Sequence, residues 1–277
     1  MLITNAEIAA YADHLRAEER SPGTIAKYTH DLTALAHFLD GTPLTHESAT
    51  AWKVHLLEQG HKPNTVNAML AAVNGFCRFF DLPVRVKFLK IQRQIFRDSS
   101  RELTKTDYDH LLAAASGRTA LLLEALCATG VRVSEVRFLT VEAAKAGRTD
   151  IRLKGKIRTI LLPKKLCKKL IAYAKAQKIA SGEIFLTKGG KSLSRFQIWR
   201  DLKALCKVAG VEPSKVFPHN FRHFFATAFY KMSRDIARLA DLLGHSSIET
   251  TRIYLAVSGA EQQRQLVCAL RPAYRAA

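Results

Sequence analysis

The sequence predicts a mainly α-helical protein with one small β-hairpin, arranged as a helical N-terminal domain and a mixed α/β C-terminal domain. Three observations lead to this expectation. Apolar residues recur at helical spacing through most of the chain. One stretch, TDIRLKGKIRTILLP, instead alternates apolar and polar residues on both sides of a Lys-Gly-Lys turn. Charge is also uneven, because residues 1–100 carry 11 basic and 10 acidic side chains and the remaining 177 carry 32 and 14.

The first domain is predicted over residues 1–84 as four helices. The segment SPGTIAKYTHDLTALAHFLD has helical spacing, with Ser21 as its N-cap and Pro22 in its first turn. The segment KPNTVNAMLAAVNGFCRFF repeats the pattern, and shorter helices are expected at about 4–18 and 46–59. A nearly neutral module of this kind fits a DNA-gripping domain or an ordinary interaction bundle.

Residues 85–100 are predicted to form a basic linker between the two domains. Its basic side chains are Arg85, Lys87, Lys90, Arg93 and Arg97. A basic connector suits a protein that closes around a DNA duplex, because phosphates need only positive charge at the right height. A solvated tether explains the composition equally well, and the sequence leaves both interpretations open.

The second domain is predicted over residues 101–277 and holds the densest positive charge. The stretch from Arg148 to Lys178 contains eleven basic residues and one acid. It includes the predicted hairpin, in which Lys154 occupies the turn and Lys156 and Arg158 follow. We expect these hairpin side chains to reach toward a duplex.

Composition limits the partner and the compartment. A net charge of +19 and a pI near 10 indicate a polyanionic partner, most often nucleic acid.

No apolar run approaches 18 residues and the N-terminus lacks signal-peptide features, so we expect no membrane span and a cytoplasmic location. Five scattered cysteines without CxxC spacing argue against disulfides and zinc. No phosphate loop, HExxH or acidic cluster is present, so we expect no metal and no cofactor.

Two motifs place basic side chains where they could bind an anion. In ATGVRVSEVRFLT, Arg132 and Glu135 are three residues apart, so the carboxylate can brace the guanidinium. In FPHNFRHFF, His219 and Arg222 share one helical face. Taken singly, the first motif also fits a surface ion pair and the second a chance His-x-x-Arg pair.

A third motif, LADLLGHSSIETTRIYL, combines a histidine and a tyrosine. Gly244 is expected to end one helix, His245 to lie in the turn, and Tyr254 to lie two turns into the next helix. By itself, this motif also fits a helix-turn-helix with an incidental histidine and tyrosine.

Together with the hairpin lysine, these residues resemble the active-site signature of the tyrosine recombinases, the phage integrase family. The matching residues are Arg132, Lys154, His219, Arg222, His245 and Tyr254. The match covers about 120–256, and the N-terminal module looks like the family's SAM-like core-binding domain. The hairpin turn is shorter than in many members, so Lys156 is an alternative to Lys154. Phe221 stands where leucine is common, which we expect to change packing only.

The resemblance implies that the protein cuts and rejoins DNA strands without metal or ATP. Tyr254 would attack the scissile phosphate, leaving a 3′-phosphotyrosyl enzyme and a free 5′-hydroxyl. His219 would act as the base, Lys154 as the acid, and His245 as a hydrogen-bond donor to the phosphate. Arg132 and Arg222 suit the non-bridging oxygens, because guanidiniums bind them bidentately and stay charged. Glu135 would support this set.

The resemblance also implies a homo-tetramer acting on two DNA sites. We expect the tail at 260–277, with apolar residues at helical spacing, to dock on a neighbouring protomer; folding back on its own domain is the alternative. Two other functions remain open, a type IB topoisomerase and a non-catalytic DNA-binding regulator on the same fold. The two-domain length favours a simple recombinase of the Xer or small mobile-element type.

Overall fold

The computed structural model describes residues 1–91, 99–153, 156–245 and 247–254. The chain divides into two compact units, Met1–Arg93 and Gln94–Ala277. This boundary lies inside the basic stretch 85–100. None of the helices in the described ranges is long and apolar enough to cross a membrane.

The first unit is a four-helix module, which confirms the prediction from apolar spacing. Its helices are α1 (Asn5–Ala17), α2 (Pro22–Leu39), α3 (His46–Glu58) and α4 (Pro63–Phe79). Capping boxes at Thr4 and Thr45 start α1 and α3, and the Ser21 side chain caps α2. The helices enclose an apolar core around the fully buried Trp52 and Phe76.

The segment that follows α4, as far as residue 91, is attached to that helix. The side-chain amides of Asn67 and Asn74 each form a pair of hydrogen bonds with its backbone, at 2.8 to 3.0 Å. Val86, whose backbone pairs with Asn74, is buried, and Leu89 pairs with Asn67. The basic side chains of the segment are exposed: Arg85, Lys87 and Lys90. This part of the predicted linker therefore belongs to the first unit.

The second unit contains helices, short 3₁₀ turns and the predicted hairpin. The helices are α5 (Lys105–Ala114), α6 (Gly117–Thr129), α7 (Val141–Ala146), α8 (Lys164–Ala176), α9 (Arg195–Ala209), α10 (Pro218–Ser233), α11 (Ile236–Leu243) and α12 (Ile248–Thr251). The 3₁₀ turns are Ser99–Arg101, Val133–Phe138, Pro213–Lys215 and Arg252–Tyr254. Strands β1 (Arg148–Leu153) and β2 (Lys156–Leu161) pair antiparallel, with Ile151 opposite Arg158.

Two apolar clusters hold the second unit together. The larger one joins α6, the hairpin and the start of α10, and Phe221 is fully buried in it. The phenylalanine therefore fills a core position, as expected for a packing change. The smaller cluster consists of Ala226, Leu239, Leu243 and Tyr254. Because it joins α10, α11 and the last described turn, it positions the chain segments that form the site.

Candidate active site

Two helix ends, one helix face and one 3₁₀ turn form the site. Helix α6 ends at Gly130, whose φ is 60°, and Arg132 then caps the next 3₁₀ turn. Helix α11 ends at Gly244, whose φ is 61°, directly before His245. Both glycines occupy the left-handed region, which glycine enters without steric cost. Arg222 lies on the buried side of α10.

Arg132 is braced by Glu135, as the three-residue spacing predicted. Its Nη1 donates to Oε1 of Glu135 over 2.8 Å, and its backbone amide donates to Oε2 over 2.8 Å. The Arg132 side chain is 42% exposed, whereas that of Glu135 is only 4% exposed. The carboxylate is therefore a buried anchor for a half-exposed guanidinium.

Arg222 is buried and held by backbone carbonyl groups. Its guanidinium donates to the carbonyl of Gly130 and to the carbonyl of Leu243. Its Nη2 also lies 3.2 Å from Nε2 of His245. Arg222 therefore connects the two glycine turns on which Arg132 and His245 are mounted.

His245 is neutral, and its tautomer follows from its partners. A guanidinium only donates, so Nε2 of His245 accepts from Arg222 and the ring proton lies on Nδ1. This Nδ1 is 2.9 Å from Oγ1 of Thr251, which accepts its hydrogen bond. Burial lowers the pKa of His245 to about 4, and the positive charges of Arg222, Arg132 and Arg158 act in the same direction.

Tyr254 lies against Arg222 in the same pocket. Burial lowers the pKa of Arg222, and the electrostatic interaction with the Tyr254 side chain acts against this lowering. The Tyr254 ring is buried in the smaller apolar cluster. The His245 ring is nearly parallel to it, at 11° and 6.0 Å between centroids. The predicted nucleophile is thus beside one of the two predicted phosphate-binding arginines.

His223 is a site neighbour that the sequence analysis missed. It is buried, and its ring centroid lies 4.9 Å from that of Tyr254. Its Nδ1 is 3.1 Å from Oγ1 of Thr227, one helical turn further along α10. The available signal was a second histidine directly after Arg222, in the motif FPHNFRHFF.

Arg158 does not lie at the surface, where the sequence analysis expected a DNA contact. It is 9% exposed, its Nη1 donates to the Leu243 carbonyl, and its Nη2 lies 3.6 Å from Oε2 of Glu135. The reason is strand periodicity: Arg158 and the buried Ile160 are two residues apart and share the inner face of β2. Arg158 is therefore part of the site's interior.

His219 lies in the first turn of α10, and its side chain is exposed. Its charge lowers the pKa of His245 after the effects of burial and the three arginines, so it belongs to the same electrostatic environment. Of Lys156, only the backbone is described. Several predicted residues lie outside the described residues: Lys154, Arg93, Arg97 and the tail at 260–277.

The electrostatics of the pocket are those of an anion site. Besides burial, the positive charges of Arg222 and Arg132 lower the pKa of Arg158, and the charge of Arg132 lowers the pKa of Arg222. Among the described residues, the carboxylate placed against these guanidiniums is Glu135. Three guanidiniums against one carboxylate leave positive charge uncompensated in a partly buried site. Within the described ranges, no three His, Cys, Asp or Glu side chains are grouped as a metal site requires.

Comparison with known proteins agrees with this architecture. Residues 101–261 match the model of the phage integrase family, and residues 8–80 match the phage integrase N-terminal SAM-like domain. Tyrosine recombinase XerC of Roseiflexus castenholzii is 32% identical, over 90% of this chain and 88% of the relative. Tyrosine recombinase XerA of Thermococcus kodakarensis is 30% identical, over 92% of each chain. A lambda integrase tetramer bound to a Holliday junction shares the fold, with a TM-score of 0.72 at 17% identity, over 90% of this chain and 76% of that one.

A SAM-like helical unit followed by this catalytic fold defines a site-specific recombinase of the tyrosine class. The chain belongs to the phage integrase family.

Proposed function

We propose that this protein cuts and rejoins DNA at specific sites through a 3′-phosphotyrosyl bond to Tyr254, without metal or ATP. The observation that carries the proposal is the position of Tyr254: its ring is buried and stacks on the ring of His245, which contacts Arg222, in a pocket with excess positive charge. A free phenol has a pKa of about 10 and is mostly protonated at neutral pH. Because the phenolate is the attacking form, the reaction needs a base that takes the phenol proton.

In the first step, the Tyr254 oxygen bonds to phosphorus and the bond from phosphorus to the 5′ oxygen breaks. The phenol proton passes to His219, and the departing 5′ oxygen takes a proton from Lys154, with Lys156 as the alternative acid. One phosphate diester replaces another, so little free energy is lost. Attack by the 5′-hydroxyl of a second strand then reverses the chemistry and releases Tyr254 without ATP.

The non-bridging oxygens would be held by Arg132 and Arg222. Both guanidiniums stay charged, and negative charge on these oxygens grows toward the transition state, so the interaction strengthens during the reaction. Glu135 would keep Arg132 in position through its two hydrogen bonds. The chain thereby supplies the charge stabilisation from side chains alone.

His245 would donate a hydrogen bond to the phosphate after a change of tautomer. In the free site its Nε2 accepts from Arg222, and its proton is on the Nδ1 that faces Thr251. A threonine hydroxyl both accepts and donates, so the Thr251 hydroxyl can donate to Nδ1 once the proton moves to Nε2. The phosphate would then replace His245 as the acceptor for Arg222.

The first unit would grip the duplex beside the cleavage site. Arg85, Lys87 and Lys90 are exposed on a segment that two asparagines fix to α4, which favours a built phosphate-binding strip over a free tether. Arg93 and Arg97, which follow in the same basic stretch of sequence, would add phosphate contacts. Replacing Arg85 and Lys87 with glutamine should reduce the salt dependence of duplex binding by a slope of about two.

The active assembly would be a cytoplasmic homo-tetramer on two DNA sites, joined by the tail at 260–277. A lambda integrase tetramer bound to a Holliday junction shares the fold, which supports a tetrameric assembly on DNA. Deleting residues 261–277 should leave binding to a single site intact and impair recombination between two sites. Undiminished recombination by the deletion variant would count against the tail's role.

The test of the proposed chemistry is a covalent trap. Full-length protein is incubated with nicked suicide duplexes tiled from the DNA that flanks its gene, and the products are run on a denaturing gel. We expect a protein–DNA adduct with wild type and none with Tyr254→Phe. Tyr230→Phe, which changes another tyrosine packed against the same small apolar cluster, should retain the adduct.

Three results would overturn the proposal. An undiminished adduct with Tyr254→Phe would remove Tyr254 as the nucleophile. Tight, salt-dependent binding to one duplex without any adduct would indicate a non-catalytic DNA-binding regulator. If an adduct forms, relaxation of supercoiled DNA without exchange between sites would indicate a topoisomerase.

A further inference from the structure

The guanidinium of Arg158 lies between a hydrogen-bond partner of Arg132 and a hydrogen-bond partner of Arg222, the two proposed phosphate-binding arginines. On one side, its Nη2 lies 3.6 Å from Oε2 of Glu135, the carboxylate that braces Arg132. On the other side, its Nη1 donates to the Leu243 carbonyl, which also accepts from Arg222. One side chain thus contacts the partner of each arginine.

The turn that carries His245 also packs against Arg158. A Cβ atom added at Gly244 would lie 2.3 Å from Cδ of Arg158 and 3.1 Å from its Cγ. The absence of a side chain at Gly244 therefore leaves room for the arginine stem. Among the described residues, Nε and Nη2 of Arg158 form no hydrogen bond, although both atoms are buried.

Such an arrangement is unfavourable for folding alone. Buried guanidinium N–H groups without acceptors lose hydration, and three neighbouring guanidiniums repel one another. Burial is also the largest cause that lowers the pKa of Arg158, to about 10. A site that holds such charge is suited to an anion that enters later, because the anion relieves the repulsion.

We propose that Arg158 is a positioning residue that sets the spacing of Arg132 and Arg222 and prepares their pocket for a phosphate group. This inference rests on the proposed function for the identity of the anion. Arg158 acts through Glu135 on one arginine and through the Leu243 carbonyl on the other. Its positive charge also raises the affinity of the pocket for any oxyanion.

Removing the positive charge of Arg158 leaves no hydrogen-bond acceptor without a donor. In Arg158→Met, the Leu243 carbonyl keeps its bond from Arg222, and Glu135 keeps both bonds from Arg132. Methionine also retains an apolar stem beside Gly244. We therefore expect the melting temperature of Arg158→Met in chloride buffer to equal or exceed that of wild type. A purely structural role predicts a lower melting temperature.

The experiment compares Arg158→Met with Arg148→Met, which removes the same charge from an exposed position on the same hairpin. The melting temperature of each full-length protein is measured in inorganic phosphate and in chloride at equal ionic strength. We expect phosphate to raise the melting temperature of wild type and Arg148→Met, and this rise to be lost in Arg158→Met.

The covalent trap supplies a second measurement. On a duplex that wild type cleaves, Arg158→Met should form the adduct on the order of 10²-fold more slowly, because a misplaced clamp loses transition-state alignment. Duplex affinity should match that of Arg148→Met. Arg158→Lys should rescue the rate only in part, because one ammonium keeps the charge but cannot reproduce the two-sided contact of a guanidinium.

The outcomes separate this inference from the proposed function. A wild-type phosphate response and cleavage rate in Arg158→Met, or a melting temperature in chloride well below that of wild type, would overturn the positioning role. If wild type forms no adduct on any duplex, the proposed chemistry loses its support. The phosphate response would still decide whether Arg158 prepares an oxyanion pocket.

Discussion

The two proposed phosphate-binding arginines are mounted in opposite ways. Arg132 is half-exposed and held by one carboxylate three residues away, whereas Arg222 is buried and held by carbonyl groups from two distant turns. The position of Arg132 depends on one ionised side chain, that of Glu135. The position of Arg222 depends on the packing of α6, α10 and α11. The first arginine should therefore tolerate change better than the second.

Replacing each arginine with lysine should give the largest loss of rate, and the loss should be greater for Arg222 than for Arg132. Arg222→Lys should slow adduct formation by about 10³-fold, because an ammonium cannot contact both carbonyls and the phosphate. Arg132→Lys, which keeps a partner in Glu135, should slow it by about 10²-fold. Single-turnover trapping measures both rates. Arg238→Lys, an exposed change on α11, is the control, and equal losses in the two test variants would refute the comparison.

Substitution of Gly130, which ends α6 two residues before Arg132, should give the next largest effect. Gly210, which ends α9, is the matched control. A Cβ at Gly130 would lie 2.4 Å from the Phe225 ring, whereas one at Gly210 would meet nothing within 4 Å. Both glycines end helices with positive φ, 60° and 65°. Gly210→Ala should cost about 1 kcal/mol of unfolding free energy from backbone strain alone.

Gly130→Ala should cost about 3 kcal/mol, because overpacking against the Phe225 ring adds to the strain. Urea unfolding of the two variants measures the difference. Similar losses for Gly130→Ala and Gly210→Ala would mean that the close approach of α6 to α10 is not tight.

Substitution of Glu135, which holds Arg132 in position, should slow adduct formation less than substitution of Arg132 itself. Glu135→Gln removes the charge that faces the guanidinium and keeps only one of the two acceptor oxygens, so we expect adduct formation to slow by about tenfold. Glu142→Gln, at the exposed start of α7, changes the net charge equally and should leave the rate unchanged. A Glu135→Gln variant as slow as Arg132→Lys would mean that the brace does more than orient the arginine.

The smallest expected effect is a pH dependence of stability from His245. Its pKa is about 4 in the folded protein against an ordinary value of 6.5, so the unfolded chain binds the proton first as pH falls. Its contribution to stability is present above about pH 6.5 and is lost as pH falls toward 4. The melting temperature should drop more between pH 7.5 and pH 5 in wild type than in His245→Gln. Exposed His61→Gln should behave like wild type.

Much of the fold could be predicted because its signals are local. Ser21, Pro22 and the apolar period of α2 lie within one stretch of chain, and the observed helix begins at Pro22. The Arg132–Glu135 brace spans three residues, so its hydrogen bonds follow from spacing. Alternation around a Lys-Gly-Lys turn was sufficient for the hairpin.

Other features depended on which distant segments meet. In the sequence, Arg158 is one of many basic residues in a basic stretch. It is buried in the structure because the inner face of β2 packs toward the carbonyl of Leu243, which is 85 residues away. His223 follows Arg222 directly, but its contact with Tyr254 requires the last described turn to return to α10. No periodic signal in the sequence encodes either contact.

The sequence by itself therefore determined the helices, the hairpin, the order of the candidate catalytic residues and the positive charge that selects a polyanion. Only the tertiary structure decided that Arg222 ties Gly130 to Leu243, that His245 is a neutral acceptor, and that Arg158 joins the site. The physical reason is range. Caps and periodic faces act within a few residues, whereas the Arg222–Gly130 contact joins groups 92 residues apart and exists only once the helices have packed.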